Sequence, residues 1–237
     1  MTEEKLTLAI DVGGSGIKAM VLLPDGTPKT ERVRLETPQP STTDAVVATI
    51  IKLAEMQGEF DRVSVGFPSV VRNGVTQKAN NLGDTWHDFD LAKVLQTEFK
   101  RPVRVANDAD IQGLGAIAGT GTELVITLGT GFGSALFIDG RLVPNLELCN
   151  HYFMHGKNKE KSYEDALGDQ ALEKIGKKDW NKRLAKAIDS LEALFNYDYL
   201  YIGGGNSKHI KFELPSNVKI IPNITGILGG IALWRDV

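Results

Sequence analysis

A single cysteine, Cys149, stands in a chain of 237 residues, so no disulfide can form within it and a reducing compartment is expected. Charge of one sign is equally scarce. The 27 Lys and Arg are set against 30 Asp and Glu, giving a formal net charge of −3 and no global attraction to nucleic acid or an anionic membrane. No apolar run reaches the length of a membrane span, and the opening Met1-Thr2-Glu3-Glu4-Lys5 leads into too few apolar residues for a signal peptide. The expected location is the cytoplasm. No low-complexity stretch or long linker interrupts the chain. What is present is an ordinary globular composition, 42% hydrophobic and 24% charged, enough for one large domain or two small lobes.

The order of short signals favours two lobes. Residues 6–10 predict a strand, Gly13-Gly14-Ser15-Gly16 a turn, residues 17–23 a second strand, and Asp25-Gly26 a hairpin. Residues 32–36 read as a third strand, and Thr42 or Thr43 can cap a helix whose Val46, Val47, Ile50, Ile51 and Ala54 recur at helical spacing. A strand at 63–67, a long Asn- and Gly-rich loop, a helix at 91–99, a strand at 103–106 and a helix at 109–117 follow. The plan then begins again: strand 124–128, turn Gly129-Thr130-Gly131-Phe132-Gly133, strand 135–138, Asp139-Gly140. Repetition at this scale predicts two similar α/β lobes facing each other, each a mixed sheet flanked by helices. We place them at 1–108 and 109–237. Within the second, residues 162–195 are mostly helical with a break near Gly176, and a buried strand at 199–202 runs into Gly203-Gly204-Gly205. A strand near 218–221 precedes a short apolar helix at about 227–235, a candidate to pack back on the first lobe.

Asp11 at a strand end, followed by Gly13, Gly14, Ser15, Gly16 and Lys18, suits a phosphate: glycine lets backbone N–H groups approach closely, and the serine and lysine add a hydroxyl and a cation. A hairpin turn needing positive φ explains the same residues. The second turn, with Gly129, Thr130 and Gly131, shifts the balance, because a phosphate chain held from both sides needs donors from both. Gly204 and Gly205 could likewise lie against a ligand or merely form a tight turn. Asn107-Asp108 falls where a strand ends and a helix begins, the edge at which open α/β sheets present ligands. Asp108 as general base for a hydroxyl, with Asn107 bonding a neighbouring hydroxyl, and an ordinary helix cap are both open there. Asp11 is the candidate for Mg²⁺, held through water. Glu147, in a polar loop with amide and imidazole neighbours, could bracket vicinal hydroxyls. His151 and His155 are spaced like helical metal ligands, but nothing completes a zinc set.

Asp11-Val-Gly-Gly-Ser-Gly-Ile-Lys18, Gly66-Phe-Pro68, Asn107-Asp108, the segment from Leu128 through Gly129-Thr-Gly-Phe-Gly133 to Phe137, and Ile202-Gly-Gly-Gly-Asn-Ser-Lys208 occur in order. On these residues the chain resembles the ROK group of sugar kinases and repressors, and most closely its polyphosphate glucokinases, over nearly its whole length. The resemblance implies a two-lobed actin and hexokinase-like (ribonuclease H-like) fold. It implies phosphoryl transfer from polyphosphate or ATP to the 6-hydroxyl of glucose or a related hexose, with Asp108 as base. Asn81, Asn107 and Glu147 would line the glucose site, the two glycine turns would hold the donor, Mg²⁺ would assist, and the protein would be a homodimer. Three departures stand out. Ser69 replaces a glycine after Gly66-Phe67-Pro68; Cys149 and Asn150 replace Gly-His after Glu147-Leu148; and the group's cysteine-rich zinc motif is missing, so no structural zinc is expected. Asn150 can still bond a hydroxyl, with His151 next door. Repressor members carry an N-terminal helix-turn-helix, for which the early first strand leaves no room, so DNA binding is not expected. The departures motivate an alternative, a sugar- or nucleotide-binding protein with little turnover, against which Asp11, Lys18 and Asp108 all speak.

Lys174, Lys177, Lys178, Lys182, Arg183 and Lys186 crowd one stretch with only Glu173 and Asp179 against them. A solvated helix face explains this, and so does a basic track for a long polyphosphate.

Overall fold

The structure, a computed structural model, describes residues 5–77, 79, 82–155 and 160–235. It comprises two compact units. One runs to Gly115 and resumes from Ile224; the other is Ala116–Asn223.

The first unit is built on five strands, β1 (Thr7–Val12), β2 (Gly16–Leu22), β3 (Val33–Glu36), β4 (Arg62–Phe67) and, after three shorter ones, β8 (Val103–Asn107), in the order β3-β2-β1-β4-β8. β1 pairs antiparallel with β2 and parallel with β4, and β4 pairs parallel with β8. β1 reads as a continuous apolar run because both its faces are covered. Leu8, Ile10 and Val12 join Val46, Ile50 and Leu53 of helix α1 (Thr43–Gln57), while Ala9 meets Ile227 and Ile231 from the chain's end. Thr42 caps α1, its hydroxyl accepting from the Ala45 N–H. Helix α2 (Leu91–Phe99) packs on the same core through Leu91 and Leu95.

The stretch read as a long loop after Phe67 holds a small sheet, β5 (Val71–Arg72), β6 (Val75–Thr76) and β7 (Phe89–Asp90). Two-residue strands show no periodicity, but Asn73 (φ 52°) and Gly74 (φ 82°) form the positive-φ turn that an Asn-Gly hairpin favours. That signal is local and stands in the sequence as Asn73-Gly74. The sheet walls in Trp86, whose indole N–H donates to the Ser41 carbonyl (2.9 Å) and whose ring lies 4.5 Å from Phe67.

The first unit also extends further than the boundary expected after Asp108. Helix α3 (Asp108–Leu114) belongs to it, because α3 packs against the returning C-terminal segment. The contact is backbone on backbone. A Cβ at Gly115 would come within 2.5 Å of the Thr225 carbonyl oxygen, and one at Gly229 within 1.9 Å of the Ile111 oxygen. That closeness also explains why the terminal apolar helix is shorter than expected: α6 (Thr225–Leu228) tightens at Gly229 into a 3₁₀ segment, Gly229–Trp234. Ser64 donates to the Gly230 carbonyl (2.6 Å), Trp234 Nε1 donates to Ser64 Oγ (2.8 Å), and the Arg62 and Arg104 guanidinium groups lie over the Trp234 ring.

The second unit repeats the sheet. β9 (Thr122–Leu128), β10 (Phe132–Ile138), β11 (Arg141–Val143), β14 (Tyr199–Gly203) and β15 (Val218–Ile220) lie in the order β11-β10-β9-β14-β15, with the same succession of two antiparallel and then two parallel pairs. Strands β12 (Tyr152–His155) and β13 (Glu160–Ser162) form a separate ribbon, which the sequence reading did not anticipate. His155 therefore lies on a strand, and the helical spacing suggested for His151 and His155 is not formed. Helices α4 (Tyr163–Leu167) and α5 (Asp169–Phe195) cover the core, and α5 breaks at Gly176 (φ 74°), where the break was expected. Glu123, fully buried on β9, accepts from the N–H groups of Ala118 (2.7 Å), Gly119 (2.8 Å) and Thr120 (3.2 Å) and from the Tyr201 hydroxyl (2.8 Å). These bonds fix the segment by which the chain enters β9. Burial, followed by the bond to Glu123, pushes the Tyr201 phenol up to about 12.

Three substitutions test this account. Gly229→Ala places a methyl where backbone already stands, at an ordinary helical φ of −62°, so overpacking should cost about 2–3 kcal/mol in urea unfolding. Gly226→Ala, where a Cβ meets nothing within 4 Å, should be neutral or slightly stabilising. Glu123→Gln turns an amide NH₂ toward backbone donors and removes charge-assisted bonds. It should destabilise by roughly 2–3 kcal/mol in the same measurement.

Candidate active site

Because β1, β4 and β8 run parallel, their carboxyl ends share one edge of the first sheet. The register sets Asp11 beside Gly66, Gly66 beside Ala106, and Phe67 beside Asn107. At that edge Asn107, not Asp108, caps α3. Its Oδ1 accepts from the N–H groups of Ala109 (2.8 Å) and Asp110 (3.3 Å), and its Nδ2 donates to the carbonyl of Ser69 (3.1 Å). The side chain is buried and engaged at both ends, so holding the Gly66-Phe67-Pro68-Ser69 loop to the helix start is its visible role. Asp108 is the first residue of the helix and half-buried, with Oδ1 accepting from the Ala109 N–H (2.8 Å). Gly66 lets β4 pass close by: a Cβ there would sit 3.6 Å from the Asp108 Cα.

The turn between β1 and β2 is closed by Gly13 N–H donating to the Gly16 carbonyl (3.1 Å). Thr37 Oγ1 donates to the Gly13 carbonyl (2.5 Å) and Arg34 Nη2 to the Ser15 carbonyl (2.8 Å), both from residues the sequence reading had not singled out. Gly13, Gly14 and Gly16 all lie outside the left-handed region, so positive φ is not why they are glycine. Around Gly14 a Cβ would meet nothing within 4 Å, leaving that backbone open to approach. Asp11 and Lys18 face each other across the β1–β2 pair and form an ion pair, Nζ to Oδ2 2.7 Å, with both side chains partly exposed.

In the second unit the Gly129–Gly131 turn is also free of positive φ. Asp169, the first residue of α5, donates its N–H to the Gly129 carbonyl (3.0 Å). Asn206 bridges the same carbonyl (3.3 Å) and Asp169 Oδ1 (2.6 Å). A Cβ at Gly131 would lie 2.6 Å from Glu164 Oε2, which also accepts from the Phe132 N–H (3.4 Å). Asp169, Asn206 and Glu164 thus frame a turn that glycine spacing alone had revealed. Gly129 and Gly205 are open, whereas Gly204 is glycine for a structural reason: its φ is 85° and a Cβ would strike the Leu128 backbone at 2.2 Å.

Glu147 precedes a short 3₁₀ turn, Leu148–Asn150, anchored by Ser134, whose hydroxyl bonds the Leu146 carbonyl and the Leu148 N–H. Cys149 Sγ donates to Glu147 Oε2 (3.4 Å). Burial, then the neighbouring Glu147, pushes this thiol up to about 12, so it stays a neutral donor. Asn150 and His151 are exposed beside it. Asn81 lies outside the described residues. Surface cavities of about 560 and 420 Å³ open against α2 and beside Gly58–Asp61, and neither is lined by a candidate residue. Among the described residues no cluster of three or more His, Cys, Asp or Glu is placed to hold a metal, and no helix is long and apolar enough to cross a membrane. Asp11, a single partly exposed carboxylate whose Oδ2 is paired with Lys18, still fits Mg²⁺, which keeps several waters and takes few protein carboxylates.

The ROK family profile matches residues 7–144. A polyphosphate glucokinase from Mycobacterium tuberculosis (strain CDC 1551 / Oshkosh) is 31% identical over 96% of this chain and 91% of its own length. The inorganic polyphosphate/ATP-glucomannokinase of Arthrobacter sp. strain KM superposes with a TM-score of 0.85 at 33% identity, covering 98% of this chain and 100% of that one. A ROK family glucokinase from Streptomyces griseus, solved in complex with glucose and AMPPNP, shares the fold, with a TM-score of 0.78 at 20% identity over 96% of this chain and 98% of that one. The paired five-stranded sheets are those of the actin and hexokinase-like fold, and this chain belongs to the ROK family.

Proposed function

We propose that this chain is a glucokinase-type phosphotransferase, moving a phosphoryl group from polyphosphate or ATP to the 6-hydroxyl of glucose or a related hexose. Family membership supports the reaction class, and one observation carries the assignment of its base: Asn107 does the capping, so the carboxylate of Asp108 is not what starts α3. At the carboxyl edge of β8 that carboxylate can accept the hydroxyl proton as oxygen attacks phosphorus. Gly13, Gly14, Ser15 and Gly16 of the first unit, and Gly129, Thr130, Gly131 and Gly205 of the second, are proposed to offer the donor backbone N–H groups. Lys18 would supply a positive charge. Asp11 is proposed to hold Mg²⁺ through water; the ion would neutralise charge on the phosphates. Glu147 is proposed to bind sugar hydroxyls with Asn150, His151 and Asn81, the Cys149 thiol helping to orient its carboxylate. A cytoplasmic homodimer completes the reading.

A coupled assay with glucose and each donor tests the activity; absence of sugar-dependent transfer would leave the binding-protein alternative. Asp108→Asn should lower kcat by about 10²-fold or more, with glucose affinity little changed. Because the cap is retained, its unfolding midpoint should stay near that of the parent. Near-normal turnover would remove Asp108 from the mechanism. For the turns, Gly14→Val is the cleaner probe, since its Cβ enters open space, whereas bulk at Gly131 collides with Glu164. It should raise the donor KM by roughly tenfold and leave the glucose KM unchanged. Equal loss for both ligands would mean that the turn shapes the unit rather than the donor site.

A further inference from the structure

The cations of residues 174–186 do not form one uniform face. Lys182 is paired with Asp179 (2.8 Å), and Arg183 Nη1 donates to the Ala166 carbonyl (3.3 Å). On the turn of α5 that carries Lys177, Asn181 reaches a second segment: its Nδ2 donates to the carbonyls of Lys177 (2.7 Å) and His209 (2.9 Å), and its Oδ1 accepts the Lys211 N–H (2.7 Å). One amide thus ties α5 to residues 205–211. It gathers Lys177, Lys208 and Lys211, all exposed, around His209. Desolvation, then the charges of those three lysines, lowers the His209 pKa, with Asp169 acting in the opposite sense. The same segment begins at Gly204-Gly205, and its Asn206 bonds the Gly129 carbonyl. The basic cluster therefore sits on the chain that braces the second glycine turn.

We propose that Lys177, Lys208 and Lys211 form an anion track for the part of a linear inorganic polyphosphate that extends beyond the second glycine turn. The inference rests on the donor reading above. The chain has no overall positive charge, so general attraction to nucleic acid is not expected and a phosphate polymer is the favoured occupant. Exposed lysines act through charge alone, so the attraction should fade as salt rises.

The test is isothermal titration of the full chain, at low and moderate salt, with long-chain polyphosphate, tripolyphosphate and a single-stranded RNA of matched charge. Lys208→Gln with Lys211→Gln should weaken long-chain binding about tenfold at low salt and spare tripolyphosphate, the gap narrowing at moderate salt. Lys178→Gln with Lys186→Gln, which removes the same charge from residues outside the Asn181 bracket, should do much less. Unchanged long-chain affinity in the first variant, equal weakening of tripolyphosphate, or RNA binding as tight as polyphosphate would each overturn the track. Turnover is read separately. A protein that phosphorylates glucose from ATP yet fails to bind long polyphosphate loses the track and keeps the function. One that binds polyphosphate through these lysines without phosphorylating sugar does the reverse.

Discussion

The cap that Asn107 places on α3 is the interaction on which the chemistry of the first unit depends. A helix start leaves backbone N–H groups without partners, and one buried amide oxygen meets two of them. The same side chain's nitrogen holds the Ser69 carbonyl, so strand, loop and helix are joined at one point. Asp108 is consequently fixed at the first helical position. The replacement of a glycine by Ser69 does not disturb this joint, because Asn107 reaches the backbone carbonyl rather than the side chain.

The glycines of this chain do three different jobs. Gly74 and Gly204 supply positive φ, Gly115 and Gly229 let backbones touch, and Gly14, Gly129 and Gly205 leave backbone exposed. Of these three groups, only the third leaves its backbone open to approach. The second group closes the first unit: α3 and the C-terminal segment approach so tightly that a methyl cannot enter, and Trp234 is then gripped by Arg62, Arg104 and Ser64. A chain end is ordinarily poorly anchored. Here close approach and a half-buried indole bond hold residues 224–235 to β4.

In the second unit, buried polar side chains serve as joints. Glu123 organises the entry to β9, Asn206 and Asp169 brace the glycine turn, and Asn181 clasps α5 to the segment after Gly205. Each is satisfied by named partners, which is the condition under which a buried or half-buried polar group adds rigidity instead of cost. Cys149 follows the same logic: its thiol, kept neutral by burial, bonds Glu147.

The repeated strand-turn-strand plan, the strand and helix positions around it, the break at Gly176 and the family motifs were all legible along the sequence, because they rest on local periodicity, glycine and turn chemistry. The residue types at Asp11, Lys18, Asn107 and Asp108 were legible for the same reason. Which of Asn107 and Asp108 caps the helix was not, since both are good caps and only the position of the Ser69 carbonyl separates them. Nor could spacing reveal that Asp11 and Lys18 pair with each other, that Gly204 packs on Leu128, or that α3 belongs with residues 224 onward. The first depends on the register of the β1–β2 hairpin, and the others on contacts between segments tens of residues apart. Tertiary structure also decided which lysines cluster: the sequence displays one dense run on a helix, but charge acts through space, and Asn181 sets Lys177 beside Lys208 and Lys211.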